Sequence, residues 1–432
     1  MKLAGWGKFP IIDSEPHWFE NETQLKTLVQ RRQEYIVFAL GRSYGDSALA
    51  AHTIQTQTWN HILDFDEDQG VLTCESGLSL ADIIDVFLPR GWFLSVSPGT
   101  KFITVGGAIA SDVHGKNHHL AGCFSESVLS FELMSADGEL LPCSREQNPS
   151  LFHATCGGMG LTGVITRAKI KLMKIPSAQI RQTTFKARNL KETFELFFQY
   201  KHVPYSVAWV DCLARGEKLG RSLLMVGDHD PEGTLDRSEK LQLSIPLDFP
   251  RMALNKYTVS AFNQLYYNRI TKPRTCTRVD LESFFYPLDS IHHWNRMYGA
   301  SGFTQYQFVL PHESSFSGLS KILGAISQSG LGSFLSVLKL LGKENKNLLS
   351  FPKEGFTLAL DFKMELKLLP LLSLLDRIVL DHGGRFYLAK DVRLDVETFR
   401  AGYPRLQEFE AIREKYGCKE KFQSLQSKRL KL

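Results

Sequence analysis

Between Ser97 and His119 the chain reads SPGTKFITVGGAIASDVHGKNHH: a glycine-spaced turn, a short apolar run, then three histidines, an asparagine and a lysine within six residues. Gly99, Gly106, Gly107 and Gly115 remove Cβ atoms at four points, so backbone N–H groups can close on a pyrophosphate or a heterocycle. A tight structural turn would use the same glycines. Buried packing, however, has no use for His114, Lys116, Asn117, His118 and His119 directly behind Val-Gly-Gly-Ala-Ile-Ala. Metal binding is the rival chemistry for these histidines. Gly115 and Asn117 spoil a helix there, and no carboxylate or thiol completes an evident zinc set, so no metal is expected.

Three other places carry polar groups suited to chemistry. Gly41-Arg42-Ser43-Tyr44-Gly45-Asp46 is rich in donors, and Arg42, Ser43 and the loop amides suit phosphate oxygens. In Phe303–Leu310 a period of two puts Gln305 and Gln307 on one face, and in Ser333–Leu341 it puts Lys339 beside Leu335, Val337 and Leu341. Such a face could line a site for a polyhydroxylated ligand or simply be solvated. Gly383–Asp391 reads as a turn into a strand that finishes on Lys390, whose face it shares with Phe386 and Leu388. That lysine either snorkels to solvent or supplies a fixed positive charge to a developing anion.

The elements that must position these groups follow from pattern. Asn21–Gln30 reads as a short amphipathic helix, and the apolar run Tyr35–Leu40 as a buried strand that delivers Gly41–Asp46. A strand is expected at Val71–Glu75. Ser79-Leu80-Ala81-Asp82 then opens a helix by a capping box, which Gly91 ends, and Phe93–Ser97 runs as a strand into the central stretch. Val128–Met134 with Asp137-Gly138 looks like a hairpin, and Pro149–Thr155 like a short helix. Gly158-Met159-Gly160-Leu161-Thr162-Gly163 matches the dinucleotide pattern but follows a helix and precedes strand periodicity over Val164–Met173, so a Rossmann domain is rejected. Beyond Pro176 come longer strands, at Ser206–Leu213, Phe303–Leu310, Ser333–Leu341 and Phe356–Lys363, consistent with a broad sheet. The charged loop Gly342–Asn347 is expected to be mobile, and the tail Val396–Leu432 to be helical and to pack back on the first domain.

Composition excludes several classes. The chain has 432 residues, 43% of them hydrophobic, enough for two domains. A formal charge of +5 without dense Lys/Arg blocks argues against a nucleic-acid partner. Seven cysteines, scattered and never spaced Cys-x-x-Cys, fit a reducing compartment and a cytoplasmic location. No run reaches the roughly 18 apolar residues of a membrane span, and Leu366–Leu380 reads as a core helix.

GRSYGD at Gly41–Asp46, SPGTKFITVGGAIASDVHGKNHH, CGGMGLTGVI at Cys156–Ile165, FTQYQFVLP at Phe303–Pro311 and GGRFYLAKD at Gly383–Asp391 resemble, in the same order, the decaprenylphosphoryl-β-D-ribose 2-oxidases of the vanillyl-alcohol-oxidase superfamily. The resemblance implies a two-domain α+β flavoprotein: a PCMH-type FAD-binding domain over 1–176, a substrate-binding domain built on an antiparallel sheet over 177–384, and a C-terminal return to the FAD domain over 385–432. It implies FAD held non-covalently. Gly41, Arg42, Ser43, Tyr44, Gly45 and Asp46, with Gly99, Thr104, Val105, Gly106 and Gly107, would hold its pyrophosphate and ribityl region. Ser111, Asp112, Val113 and His114 would run beside the flavin, Gly163 and Val164 would meet the adenine side, and Tyr387 would close the ring pocket. Lys116, Gln305, Gln307, Lys339 and Lys390, with Tyr286, fall where the family places its substrate pocket, and Lys390 and Lys116 are the candidate catalytic residues.

The implied reaction takes a hydride from a secondary alcohol of a lipid-linked sugar to the flavin. A quinone or oxygen would accept the electrons, and a short-chain dehydrogenase would reduce the keto product. An aldonolactone or alditol oxidase of a free sugar, and a catalytically silent flavin- or sugar-binding scaffold, are the competing readings. A lipid-linked substrate further implies a peripheral contact with the inner membrane. Ser317–Asn347, with Leu319, Ile322, Leu323 and Ile326 among Lys321, Lys339, Lys343 and Lys346, is the expected docking segment, against an ordinary cap helix and hairpin.

Overall fold

Alternation along Val164–Lys174 buries Val164, Thr166, Ala168, Ile170 and Leu172 while Lys169 and Lys171 face out, and this strand is the spine of the amino-terminal half. In the computed structural model, which describes residues 1–236, 243–250 and 252–432, it lies between Val128–Met134 and Val71–Glu75. The antiparallel sheet continues to Leu140–Ser144 on one side and Ile62–Asp66 on the other, with Trp92–Leu94 against the end of the spine. Glu15–His17, His52–Gln55 and Ile36–Phe38 form a separate parallel sheet beside it. Helix Leu80–Phe87 starts on the Ser79/Asp82 capping box and buries Leu80, Ile83, Ile84 and Phe87 in the same apolar cluster as Leu72, Ile170 and Leu172. Gly158–Gly163 joins the helix Pro149–Thr155 to the spine strand, the reverse of the order a dinucleotide fingerprint requires.

The second half is built on an eight-stranded antiparallel sheet. Its order is Arg274–Asp280, Gln179–Ala187, Ser222–His229, Tyr205–Val210, Ser336–Leu341, Gly355–Lys363, Phe303–Pro311 and Arg385–Phe386. One face packs on helices Leu190–Gln199, His312–Ser329 and Leu368–Asp381. Leu319, Ile322, Leu323 and Ile326, expected to meet a membrane, are between 0% and 1% exposed in this core. Each such side chain contributes about 1.5–3 kcal/mol by burial, so this segment is a cap helix and not a docking surface.

Two further expectations change. The strand after Gly384 stops at Phe386, and the Lys390 N–H bonds the Tyr387 carbonyl at 3.0 Å, so Lys390 sits in a turn and not on a strand. The edge strand Arg385–Phe386 itself pairs with Val309 and Phe308 of the large sheet. The loop Gly342–Asn347 is tied down: the Gly342 N–H meets His118 at 3.0 Å, and Asn345 and Asn347 each donate to Asp112 at 2.8 Å. The tail returns as helices Val396–Gly402, Leu406–Lys415 and Leu425–Leu430. Buried Arg413 donates to the Leu161 carbonyl at 3.1 Å, and Arg429 bridges Asp46 and Asp391 at 2.8 and 2.9 Å. No helix among the described residues is long and apolar enough to cross a membrane.

Candidate active site

Strand register assembles the polar face of the large sheet. Gln305 lies opposite Asp361, Gln307 opposite Ala359, and Lys339 opposite Thr357, all on the side away from the covering helices. The Gln305 amide donates to Asp361 at 2.6 Å. Thr357 gives its hydroxyl proton to the Phe308 carbonyl at 2.8 Å, so its oxygen accepts from the Gln307 amide at 3.2 Å. The other Gln307 N–H then points at His114 Nε2, 3.1 Å away, which places the imidazole proton on Nδ1. Burial, then the charge of Lys339, holds His114 well below the usual histidine range, so the ring is neutral. Its Nδ1 is buried without a protein partner. Phe351 and Tyr387 pack on the ring at 5.4 and 5.3 Å.

Three amines border this face. Lys390 lies over the Tyr44 ring at 3.7 Å, and the Tyr44 N–H bonds Ala389 at 3.0 Å, so the turn and the Gly41–Asp46 loop hold each other. Burial, followed by Lys339, pulls Lys390 down while Asp361 opposes, and burial pushes Asp361 up. Lys116 donates to the Phe285 carbonyl at 2.9 Å, and burial with the Lys339 charge brings it down to about 7. Burial alone brings Lys339 down to about 8. Lys339 is thus close enough to act electrostatically on His114, Lys116 and Lys390.

The Gly41–Asp46 loop is wedged between the amino-terminal segment and the Lys390 turn. Gly45 has no room for a side chain, because a Cβ would lie 1.8 Å from the Asp391 carbonyl oxygen. Arg42 stacks on Trp6 at 4.0 Å, and its Nε is buried without a partner. Ser43 and Tyr44 accept backbone bonds from Trp6 and Gly7. Asp46 departs from its expected role: its carboxylate is taken by Arg429, with oxygens at 3.1 and 2.8 Å. Across from Arg42, Asp289 holds the Thr100 hydroxyl and the Lys101 N–H at 3.1 and 2.9 Å, and Gly99 beside them faces open space.

The remaining sites divide. Thr104 caps the Gly107 N–H at 3.1 Å, Gly106 bonds Ser76, and Val105 is core. The Ser111 carbonyl accepts from the Tyr387 hydroxyl at 2.9 Å, while Val113 packs in the first-half core. Asp112 is fully buried at φ 40° and bonds Ser125, Asn345, Asn347 and Ser350, so its carboxylate is a fastener between the halves. Tyr286 bonds Ser97 and follows Phe285, whose carbonyl takes the Lys116 amine. Val164 pairs with Met134, and its side chain is sealed in the cluster of Phe19, Tyr35 and Trp59; Gly163 abuts Leu133 and Met134. Neither joins the lysine cluster. Sequence reasoning missed Trp6, Asp289, Phe351, Thr357 and Asp361. A lone carboxylate in the apolar strand Gly355–Lys363 was a visible signal for Asp361; the others required the tertiary register.

A sequence model described as an FAD binding domain matches residues 20–144. Decaprenylphosphoryl-beta-D-ribose oxidase of Mycolicibacterium smegmatis is 37% identical over 100% of this chain and 97% of its own length. The chain belongs to the decaprenylphosphoryl-β-D-ribose oxidase family. An uncharacterized Streptomyces coelicolor protein, from the mprA 5′ region, is 31% identical over 78% of this chain and 95% of its own. Bovine L-gulonolactone oxidase, at 28% over 45% of each chain, shares less than half the length, which fits a free-sugar oxidase less well. As a member of the family the protein is an FAD-dependent oxidoreductase acting on a sugar alcohol. Its own residues fit the cofactor: the partnerless His114 Nδ1 and Arg42 Nε offer a donor to a heterocycle and one to an anion, and the Gly99 side has room.

Proposed function

We propose that the chain oxidises the 2-hydroxyl of a polyprenyl-phosphate-linked ribofuranose to a keto sugar. The observation that carries this reading is that three amines, Lys116, Lys339 and Lys390, gather at one polar sheet face that carries Gln305 and Gln307, beside neutral His114. Amines suit the phosphate of a lipid-linked sugar, and amides suit its hydroxyls. Bound FAD supplies the hydride-accepting ring. Lys390, held in place by Tyr44, provides a fixed positive charge where negative charge develops. Lys116 and the glutamines orient the sugar, with Gln307 locked by Thr357 and His114. Tyr387 closes the pocket over Ser111.

FAD is held non-covalently in this reading; flavin that precipitates with denatured protein would refute this. A quinone or oxygen is the electron acceptor, and a short-chain dehydrogenase consumes the keto product. A peripheral membrane contact belongs to the same reading. Its support moves to Leu247, Met252, Tyr257 and Leu265, which are 76%, 83%, 82% and 74% exposed. Vesicle co-sedimentation should be lost when these four are made polar, and unchanged partitioning would discard that face. The deciding experiment is anaerobic mixing of the yellow protein with polyprenyl-phosphoryl ribose and with free pentoses. Rapid bleaching by the lipid-linked sugar alone is expected; equal bleaching by a free pentose would replace this reading with a free-sugar oxidase.

A further inference from the structure

The small parallel sheet of the amino-terminal half carries a cluster that the oxidation does not use. Glu15 and His17 are two apart on one strand and share a face; Glu15 lies in register with His52 on the neighbouring strand. His17 Nε2 and His52 Nδ1 are 3.2 Å apart, Glu15 Oε2 lies 3.4 Å from His52 Nδ1 and Glu15 Oε1 3.8 Å from His17 Nε2, and one donor atom from each falls within 4.8 Å of the others. A tetrahedral zinc with bonds of about 2.0–2.1 Å needs donor atoms about 3.3 Å apart. The separation of the two ring nitrogens matches one edge of that tetrahedron, and the Glu15 carboxylate turns one oxygen toward each ring.

We propose that Glu15, His17 and His52 bind a zinc ion, with a fourth position open to water. Two imidazoles and one carboxylate are a borderline-soft donor set, which favours zinc over magnesium or calcium. The His17 ring is oriented by Tyr35, edge-on at 5.3 Å and 87°. The role is structural. Residues 15–17 follow the segment that stacks Trp6 on Arg42, and His52 opens the strand that follows the Gly41–Asp46 loop. An ion bridging them would clip both ends of the chain that frames that loop.

The test uses the FAD-loaded full chain, stripped by a chelator and titrated with zinc chloride by calorimetry, with cobalt(II) as the spectroscopic probe. The expected result is one zinc per chain at micromolar concentrations, a four-coordinate cobalt spectrum, and a higher melting temperature with zinc. His52→Ala and Glu15→Gln, both at partly open positions, should weaken zinc binding at least about tenfold while keeping flavin bound. No binding at micromolar zinc, equal affinity in His52→Ala, or a six-coordinate cobalt spectrum would each overturn the site. A histidine pair joined only by an N–H···N hydrogen bond would give the first outcome.

Discussion

Phe303–Pro311, Gly355–Lys363 and Ser336–Leu341 present two faces made from alternate residues of the same strands. Tyr306, Phe308, Leu310, Leu338, Leu358 and Leu360 lie under helices, while Gln305, Gln307, Lys339, Thr357 and Asp361 look the other way. One face is a dry core whose worth is area removed from water. The other is a set of polar groups that position one another and depress their own charges. A single-residue step along one strand thus moves from stability to chemistry, so substitutions at neighbouring positions should separate the two.

The largest effect is expected on the apolar face. Phe308→Ala should cost about 3–5 kcal/mol in denaturant unfolding of the FAD-loaded protein, with the folded fraction still bleached by substrate at the parent rate. A slower bleaching rate with an unchanged unfolding midpoint would break the division. On the polar side, Lys390→Ala should retain FAD and slow flavin reduction by about tenfold or more, roughly 1.4 kcal/mol of barrier, in anaerobic stopped-flow absorbance. Unchanged kinetics would reduce Lys390 to a prop for Tyr44.

The pH dependence sharpens the comparison further. Lys116 and Lys339, brought to about 7 and about 8, lose charge as pH rises through those values, so affinity for a phosphate-bearing substrate should fall across that window. The fall should be about fivefold or more, the worth of the roughly 1 kcal/mol that even water-like screening leaves between unit charges 4 Å apart. Lys339→Met should flatten it. Stability should run the opposite way: between about 8 and 10.5 the unfolded chain binds the Lys339 proton and the folded chain does not, so stability rises with pH there. The smallest effect is assigned to a positioning residue. Thr357→Val removes the acceptor that orients Gln307 and should cost about 0.5–1 kcal/mol, two- to fivefold in reduction rate, with Thr357→Ser restoring it. A loss that serine fails to restore would mean that the methyl packing matters and not the hydrogen bond.

Much of this division was legible from pattern. Period two placed Gln305 with Gln307, and it put Lys339 on one face with Leu335, Val337 and Leu341, because a strand's side-chain direction is a local property. Asp361 was not recognised because its meaning depends on which strand lies opposite; only antiparallel pairing brings it to Gln305. Lys390 was placed on a strand because Phe386–Lys390 alternates, but the Tyr387 carbonyl takes the Lys390 N–H and turns the chain. The apolar positions of His312–Ser329 were visible, yet an apolar stripe says only that something covers it, and here the sheet does. The loop Gly342–Asn347 looked mobile from its charges, although its two asparagines are spent on one distant carboxylate.

That carboxylate, Asp112, has a consequence for how ligands come and go. Side chains of Asn345, Asn347 and Ser350 from the second half all donate to it at 2.6 to 2.8 Å, in a place shut off from water. Hydrogen bonds to a charged group are worth about 1.5–3 kcal/mol each, so a form with the halves swung apart and all three broken is populated at about one part in a thousand or less. Slow hydrogen exchange in the backbone around Asn347 would report this clasp. Passage of a ligand that needed the halves to part would therefore be confined to that minor form.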